Sequence, residues 1–109
     1  MNTKLRRTPW NRIALRLRVP RSTGVYLVGA GTGRGPSDIL RVGSASNLRA
    51  RLLELVEEED LQELHARAVH WVGDLTIEQA RIAERLFTRR YDPPAQPTVR
   101  SRYEEILAG

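Results

Sequence analysis

Four side chains carry the chemistry this sequence can offer: Tyr26, Arg41, Arg51 and Glu84. Tyr26 lies in the β-prone run Gly24–Val28 and Arg41 in a second such run, Ile39–Gly43. The two are joined by a stretch bearing Gly29, Gly31, Gly33, Gly35 and Pro36, so together they read as a β-hairpin. Side chains alternate along a strand: Val25 and Leu27 form one set, and Leu40 and Val42 another. If these apolar sets share the core face, Tyr26 and Arg41 stand together on the opposite face. A phenol and a guanidinium side by side next to a glycine-rich loop make either a site or an ordinary solvent face. Arg51 falls on a helical stretch, at the edge of the apolar stripe formed by Leu48, Leu52, Leu55 and Val56. Glu84 lies on the apolar side of a later helix, between Ile77 and Ala80 in azimuth and away from the charged face of Glu78, Arg81 and Arg85. A carboxylate there needs either a paired arginine or a metal ion.

The elements that position these groups can be read in order. Residues 46–59 form a helix with Ser46 or Asn47 as its cap. The run Glu57, Glu58, Glu59, Asp60 stands at the end of that helix, where acids oppose the helix dipole, and reads as a solvated turn. Leu61–Ala66 reads as a further helical turn with His65 exposed on it. Ala68–Val72 is a third strand, with Val69 and Trp71 on one face and His70 on the other. Thr76–Tyr91 is the clearest helix: Thr76 caps it, and Gln79 completes a capping box. Ile77, Ala80, Ala83, Leu86 and Phe87 make its apolar stripe, and Pro93 and Pro94 stop it. The reading is an α/β fold in which a small, three-stranded, mainly antiparallel sheet is flanked by helices in the order β-β-α-β-α.

Read as a series, Gly24-Val25-Tyr26, Arg41-Val42-Gly43, the helix Asn47-Leu48-Arg49-Ala50-Arg51-Leu52 and the acidic helix at Glu84 resemble the GIY-YIG nuclease family. The resemblance covers roughly residues 19–97. It implies Mg²⁺-dependent (or Mn²⁺-dependent) endonuclease activity on DNA, by hydrolysis of a phosphodiester bond through a one-metal, in-line displacement. Glu84 would hold the metal ion. Arg51 would clamp a non-bridging oxygen as charge builds. Tyr26 would orient or deprotonate the attacking water, and Gly43 would allow close backbone approach. Arg34, Ser44, Asn47, Arg49 and Gln96 are the expected nucleic-acid contacts, Gln96 standing where the family carries an asparagine. The sequence departs from the family at Arg41, where the second motif usually has tyrosine. Arginine cannot act as a base, its pKa lying above about 12, so its expected role is to support Tyr26, a neighbouring cation favouring the phenolate. The alternative is a module that keeps this fold and binds nucleic acid without cutting it.

Composition points the same way. The 109 residues fit one domain, and the formal charge of +5 comes from 18 basic against 13 acidic residues. Only Lys4 among the basic residues is lysine. Arginine favours bidentate phosphate contacts, which suits DNA or RNA, although a GC-rich genome enriches it equally. The absence of cysteine excludes disulfides, thiolate metal sites and cysteine nucleophiles. No apolar run has membrane-spanning length, and a cytoplasmic protein without a membrane partner is expected. Residues 1–18 read as a basic N-terminal extension free of acid, residues 19–97 as the nuclease-like domain, and residues 98–109 as a helical tail that packs back through Tyr103, Ile106 and Leu107. With no separate recognition domain, specificity would come from DNA shape, a homodimer or a partner protein. The glycine spacing does not fit a dinucleotide fingerprint, because a strand rather than a helix follows it.

Overall fold

The structure, a computed structural model, describes residues 5–31 and 38–94. Three sequence expectations therefore fall outside the described residues: Arg34 in the hairpin loop, Gln96, and the helical tail over 98–109. The chain runs β1 (Arg6–Pro9), α1 (Arg12–Arg18), β2 (Gly24–Gly29), β3 (Ile39–Ala45), α2 (Leu48–Leu55), α3 (Glu59–Glu63), β4 (Ala68–Val72) and α4 (Ile77–Tyr91). The sheet has four strands rather than three, in the order β1-β4-β2-β3, and every pairing is antiparallel. The added strand is β1. It escapes a hydrophobic reading because its inward contact is polar: buried Thr8 accepts a hydrogen bond from the Trp71 indole N–H at 2.9 Å. Arg6 lies over the same ring, 5.9 Å from its centroid, so it acts as a cation on an aromatic face rather than as a free charge. Proline is tolerated in β1 because the strand lies at the sheet edge.

Both faces of the sheet are covered, and β2 is buried along its whole length. On one face Tyr26, Val28, Val69 and Trp71 pack with Leu15, Leu48, Leu52, Leu55 and Leu61, which come from α1, α2 and α3. On the other, Leu27, Ile39 and Val42 pack with Phe87 and Tyr91 of α4. The expectation that Leu40 and Val42 belong to one set, opposite Tyr26, is corrected. The β2–β3 register shifts between Val28 and Gly29, leaving Leu40 without a partner in the ladder. Leu40 therefore joins the Tyr26 side while Ile39 and Val42 take the other. Tyr26 and Arg41 do share a face, since Tyr26 pairs with Gly43 and Val28 with Arg41, but that face is core rather than solvent.

The helices differ from the sequence reading in length more than in place. Asn47 caps α2 by accepting from the Ala50 amide at 3.1 Å. The helix ends at Leu55, and a second one begins at Glu59. The acidic run thus straddles a break. Glu59 and Asp60 occupy the first turn of α3, where negative charge suits the dipole. Glu57 and Glu58 reach other elements: Glu57 pairs with Arg12 of α1 and Glu58 with Arg41 of β3. Helix α4 has the full capping box of Thr76 and Gln79 and ends at Asp92 in the left-handed region. Of its expected stripe, Ala80 is buried, whereas Ile77 and Leu86 are 53% and 62% exposed.

His70 sits on the α4 side of β4, 4% exposed and opposite Leu27. Burial, helped by the charge of Arg7 on the neighbouring strand, holds its pKa below the ordinary value. The unfolded chain therefore takes up the proton first. This contribution to stability is present in full above about pH 6.5 and is lost as the pH falls from there toward the folded-state pKa. The melting temperature of the protein should fall on acidification through that window, and that part of the fall should vanish in His70→Gln. An identical pH profile for the two proteins would show that His70 does not titrate in this way.

Candidate active site at the edge of β3

Among the described residues strand β3 is an edge of the sheet, and candidate residues lie around its end. Gly43 and Ser44 are adjacent and face opposite sides. Over the first side lies Tyr26. A Cβ built on Gly43 would stand 2.2 Å from the Tyr26 phenol oxygen and 2.4 Å from Cζ. Glycine is therefore required here because the phenol lies across the strand, and the close approach expected at this position is that of a side chain. Gly43→Ala should displace a ring that is only 3% exposed and has few alternative positions. The expected cost is about 1–3 kcal/mol of stability, typical of overpacking, together with loss of any activity that needs the phenol. An alanine variant that melts like the parent protein would rule out this clash.

Arg51, half-buried on α2, lies beside the Tyr26 phenol, close enough to act on its pKa, and pairs with the exposed Glu54 at 3.1 Å. Such a surface pair is weak, so the guanidinium can turn to an incoming anion. Burial pushes the Tyr26 pKa above its ordinary value; the neighbouring Arg51 and the charge of Arg41 pull it down, and Glu84 pushes it up. The first effect wins, so Tyr26 is a neutral phenol at physiological pH. The pull expected of Arg41 is present and is outweighed. Arg41 itself is 7% exposed and held by Glu58 at 2.6 Å.

Glu84 approaches from the other side of the strand, on the third turn of α4. Its carboxylate accepts a hydrogen bond from the Ser44 hydroxyl at 3.2 Å. Among the described residues it forms no ion pair, although arginines surround it in sequence. The arginine partner left open by the sequence is thus replaced by a neutral hydroxyl, and the carboxylate keeps its charge uncompensated. It is close enough for that charge to act on the Tyr26 phenol. Tyr26 with Arg51 on one side, over Gly43, and Glu84 on the other, at Ser44, therefore stand at adjacent residues of one strand edge. The remaining expected contacts within the described residues are engaged inside the fold: Asn47 caps α2, and the Arg49 Nε–H donates to the Val19 carbonyl at 2.7 Å. The partnership of Glu58 with Arg41 escaped the sequence, because nothing local distinguishes Glu58 within a run of four acids.

As for metal ligands, no cluster of three or more His, Cys, Asp or Glu exists among the described residues. One carboxylate suits a hard cation that keeps most of its water shell, and suits little else. No helix of the described residues is long and apolar enough to cross a membrane.

No protein-family model and no curated protein sequence matches the chain. Among solved structures it is similar to the GIY-YIG N-terminal endonuclease domain of UvrC from Thermotoga maritima. One point mutant of that domain, bound to its catalytic divalent cation, superposes with a TM-score of 0.60 at 21% identity, covering 77% of this chain and 96% of that one. A second mutant gives a TM-score of 0.59 at 19% identity over the same shares. The magnesium-bound form gives 0.58 at 20% identity, covering 74% and 93%. The resemblance read from the motifs is borne out as a fold: the chain has the GIY-YIG architecture.

Proposed function

We propose that this protein is a metal-dependent endonuclease that hydrolyses phosphodiester bonds in DNA. The observation that supports the reading is that the Tyr26 phenol, with Arg51 beside it, lies over Gly43 while Glu84, without an ion pair among the described residues, accepts from the adjacent Ser44. The structural neighbours, described as bound to a catalytic divalent cation, support it. Glu84 fits a Mg²⁺ or Mn²⁺ ion: it is a hard oxygen donor, half-buried, held by Ser44 and without an ion pair among the described residues. When bound, such an ion supplies charge stabilisation at the phosphate and the leaving oxygen. The other roles belong to the chain. Arg51 forks onto a non-bridging phosphate oxygen, leaving Glu54. Tyr26, kept protonated by burial, orients the attacking water by a hydrogen bond, and the proton that this water loses leaves to solvent. Arg41, fixed by Glu58, adds positive charge beside the phenol.

A second reading, a DNA-binding module without catalysis, draws on that same Arg41–Glu58 pair, which places in the second motif a residue that cannot accept a proton and is already engaged in the fold. One assay separates the two. The protein should nick supercoiled plasmid in Mg²⁺ or Mn²⁺ and leave it intact in EDTA. Salt-sensitive DNA binding without nicking would establish the module instead.

A further inference from the structure

Beside the candidate site lies a cleft of about 250 Å³ that the chemistry above does not use. Thr23, Ser44, Ser46, Ile77, Ala80 and Arg81 line it. We propose that this cleft seats a sugar–phosphate unit of the DNA strand flanking the cut, with Arg81 as its phosphate ligand. The proposal rests on the nuclease reading for its substrate, and on the cleft itself for its geometry.

Three observations point to it. The cleft is smaller than the roughly 300–1,000 Å³ typical of small-molecule and cofactor sites, which favours one nucleotide's backbone over a soluble cofactor. Its walls are divided as a sugar–phosphate requires. Ile77 and Ala80 offer apolar surface to the deoxyribose, and the Ser46 hydroxyl is of the kind that donates to a phosphate oxygen, those of Ser44 and Thr23 being already given to Glu84 and to the Ser46 carbonyl. Finally, its cation is available. Arg81 is exposed and, among the described residues, makes no hydrogen bond or ion pair. It precedes Glu84 by three residues on α4, so their Cβ atoms lie about 5–6 Å apart, yet the two do not pair. Ser44 belongs to both places: it lines the cleft and donates to Glu84. A strand whose scissile phosphate sits at Glu84 therefore has its next unit at the mouth of the cleft.

The test uses a short fluorescein-labelled DNA, single-stranded and duplex, titrated by anisotropy in EDTA over a range of salt. Arg81→Ala should weaken binding about tenfold, the worth of a charged hydrogen bond. It should also reduce the slope of log K against log[salt] by about 0.7–0.9, as expected when one phosphate is no longer neutralised by the protein. Arg89→Ala removes the same charge about 12 Å further along the helix and should leave the slope unchanged. Arg81→Lys should restore the slope but only part of the affinity, because it keeps the charge and loses the fork. Equal effects of Arg81→Ala and Arg89→Ala would reduce Arg81 to general field and overturn the proposal, as would no effect of either. The two readings fail separately. Plasmid nicking by the parent protein with an unchanged Arg81→Ala slope refutes the cleft alone. A selective Arg81 effect in a protein that never nicks refutes the nuclease reading and leaves the cleft standing.

Discussion

Glu84→Gln is expected to lower plasmid nicking by at least about 100-fold, the scale set by removing one electrostatic element of a transition state. The amide keeps the shape and can still accept from Ser44, so the fold should not notice. What disappears is a carboxylate that, among the described residues, has no ion pair. DNA affinity should stay equal or rise, since a negative charge near the phosphates is gone. These two outcomes move in opposite directions, which distinguishes loss of a metal ligand from general damage. A merely structural Glu84 would instead give a lower melting temperature and weaker binding together.

Arg51→Ala should be almost as costly, at about 100- to 1,000-fold in nicking rate. Two losses combine. The phosphate loses its fork, and the Tyr26 phenol loses the cation beside it. Removing that cation leaves a buried phenol dominated by desolvation, so the Tyr26 pKa should rise further, an effect visible by NMR of labelled tyrosine. Arg51→Lys keeps a cation without the planar fork and should recover only part of the rate. The Glu54 pair is too exposed to matter, and Glu54→Ala should leave nicking within a fewfold of the parent. If Arg51→Ala leaves the rate unchanged while lowering stability, Arg51 serves Tyr26 alone.

Much of this arrangement is legible in the amino-acid sequence, and the parts that are not share a physical cause. Strand β4 and helix α4 are legible because apolar run, cap and capping box agree locally. Gly43 is legible as a position needing close approach, though not as the seat of a phenol. The fold and the convergence of Tyr26 with Arg51 follow from ordered motifs. Three things are illegible. Strand β1 makes its core contact through Thr8 and an arginine over Trp71, so it has no hydrophobic signature. The register shift in β3 moves Leu40 to the other side, and no sequence rule marks it. Glu58 finds Arg41 only after the chain has folded. In each case the deciding interaction is tertiary, and mostly polar, whereas the periodicities in the sequence report apolar burial.

The central claim is that one divalent cation binds at Glu84, and the other acids compete for it: Glu57, Glu58, Glu59 and Asp60 form the densest run of negative charge. Paramagnetic broadening by substoichiometric Mn²⁺ in the ¹H–¹⁵N spectrum maps the ion directly. With Glu84 as the ligand, the amides of residues around Ser44 and Glu84 should broaden first, and this selective broadening should be absent in Glu84→Gln. Broadening centred on residues 57–60, or a pattern at Ser44 unchanged by Glu84→Gln, would contradict it.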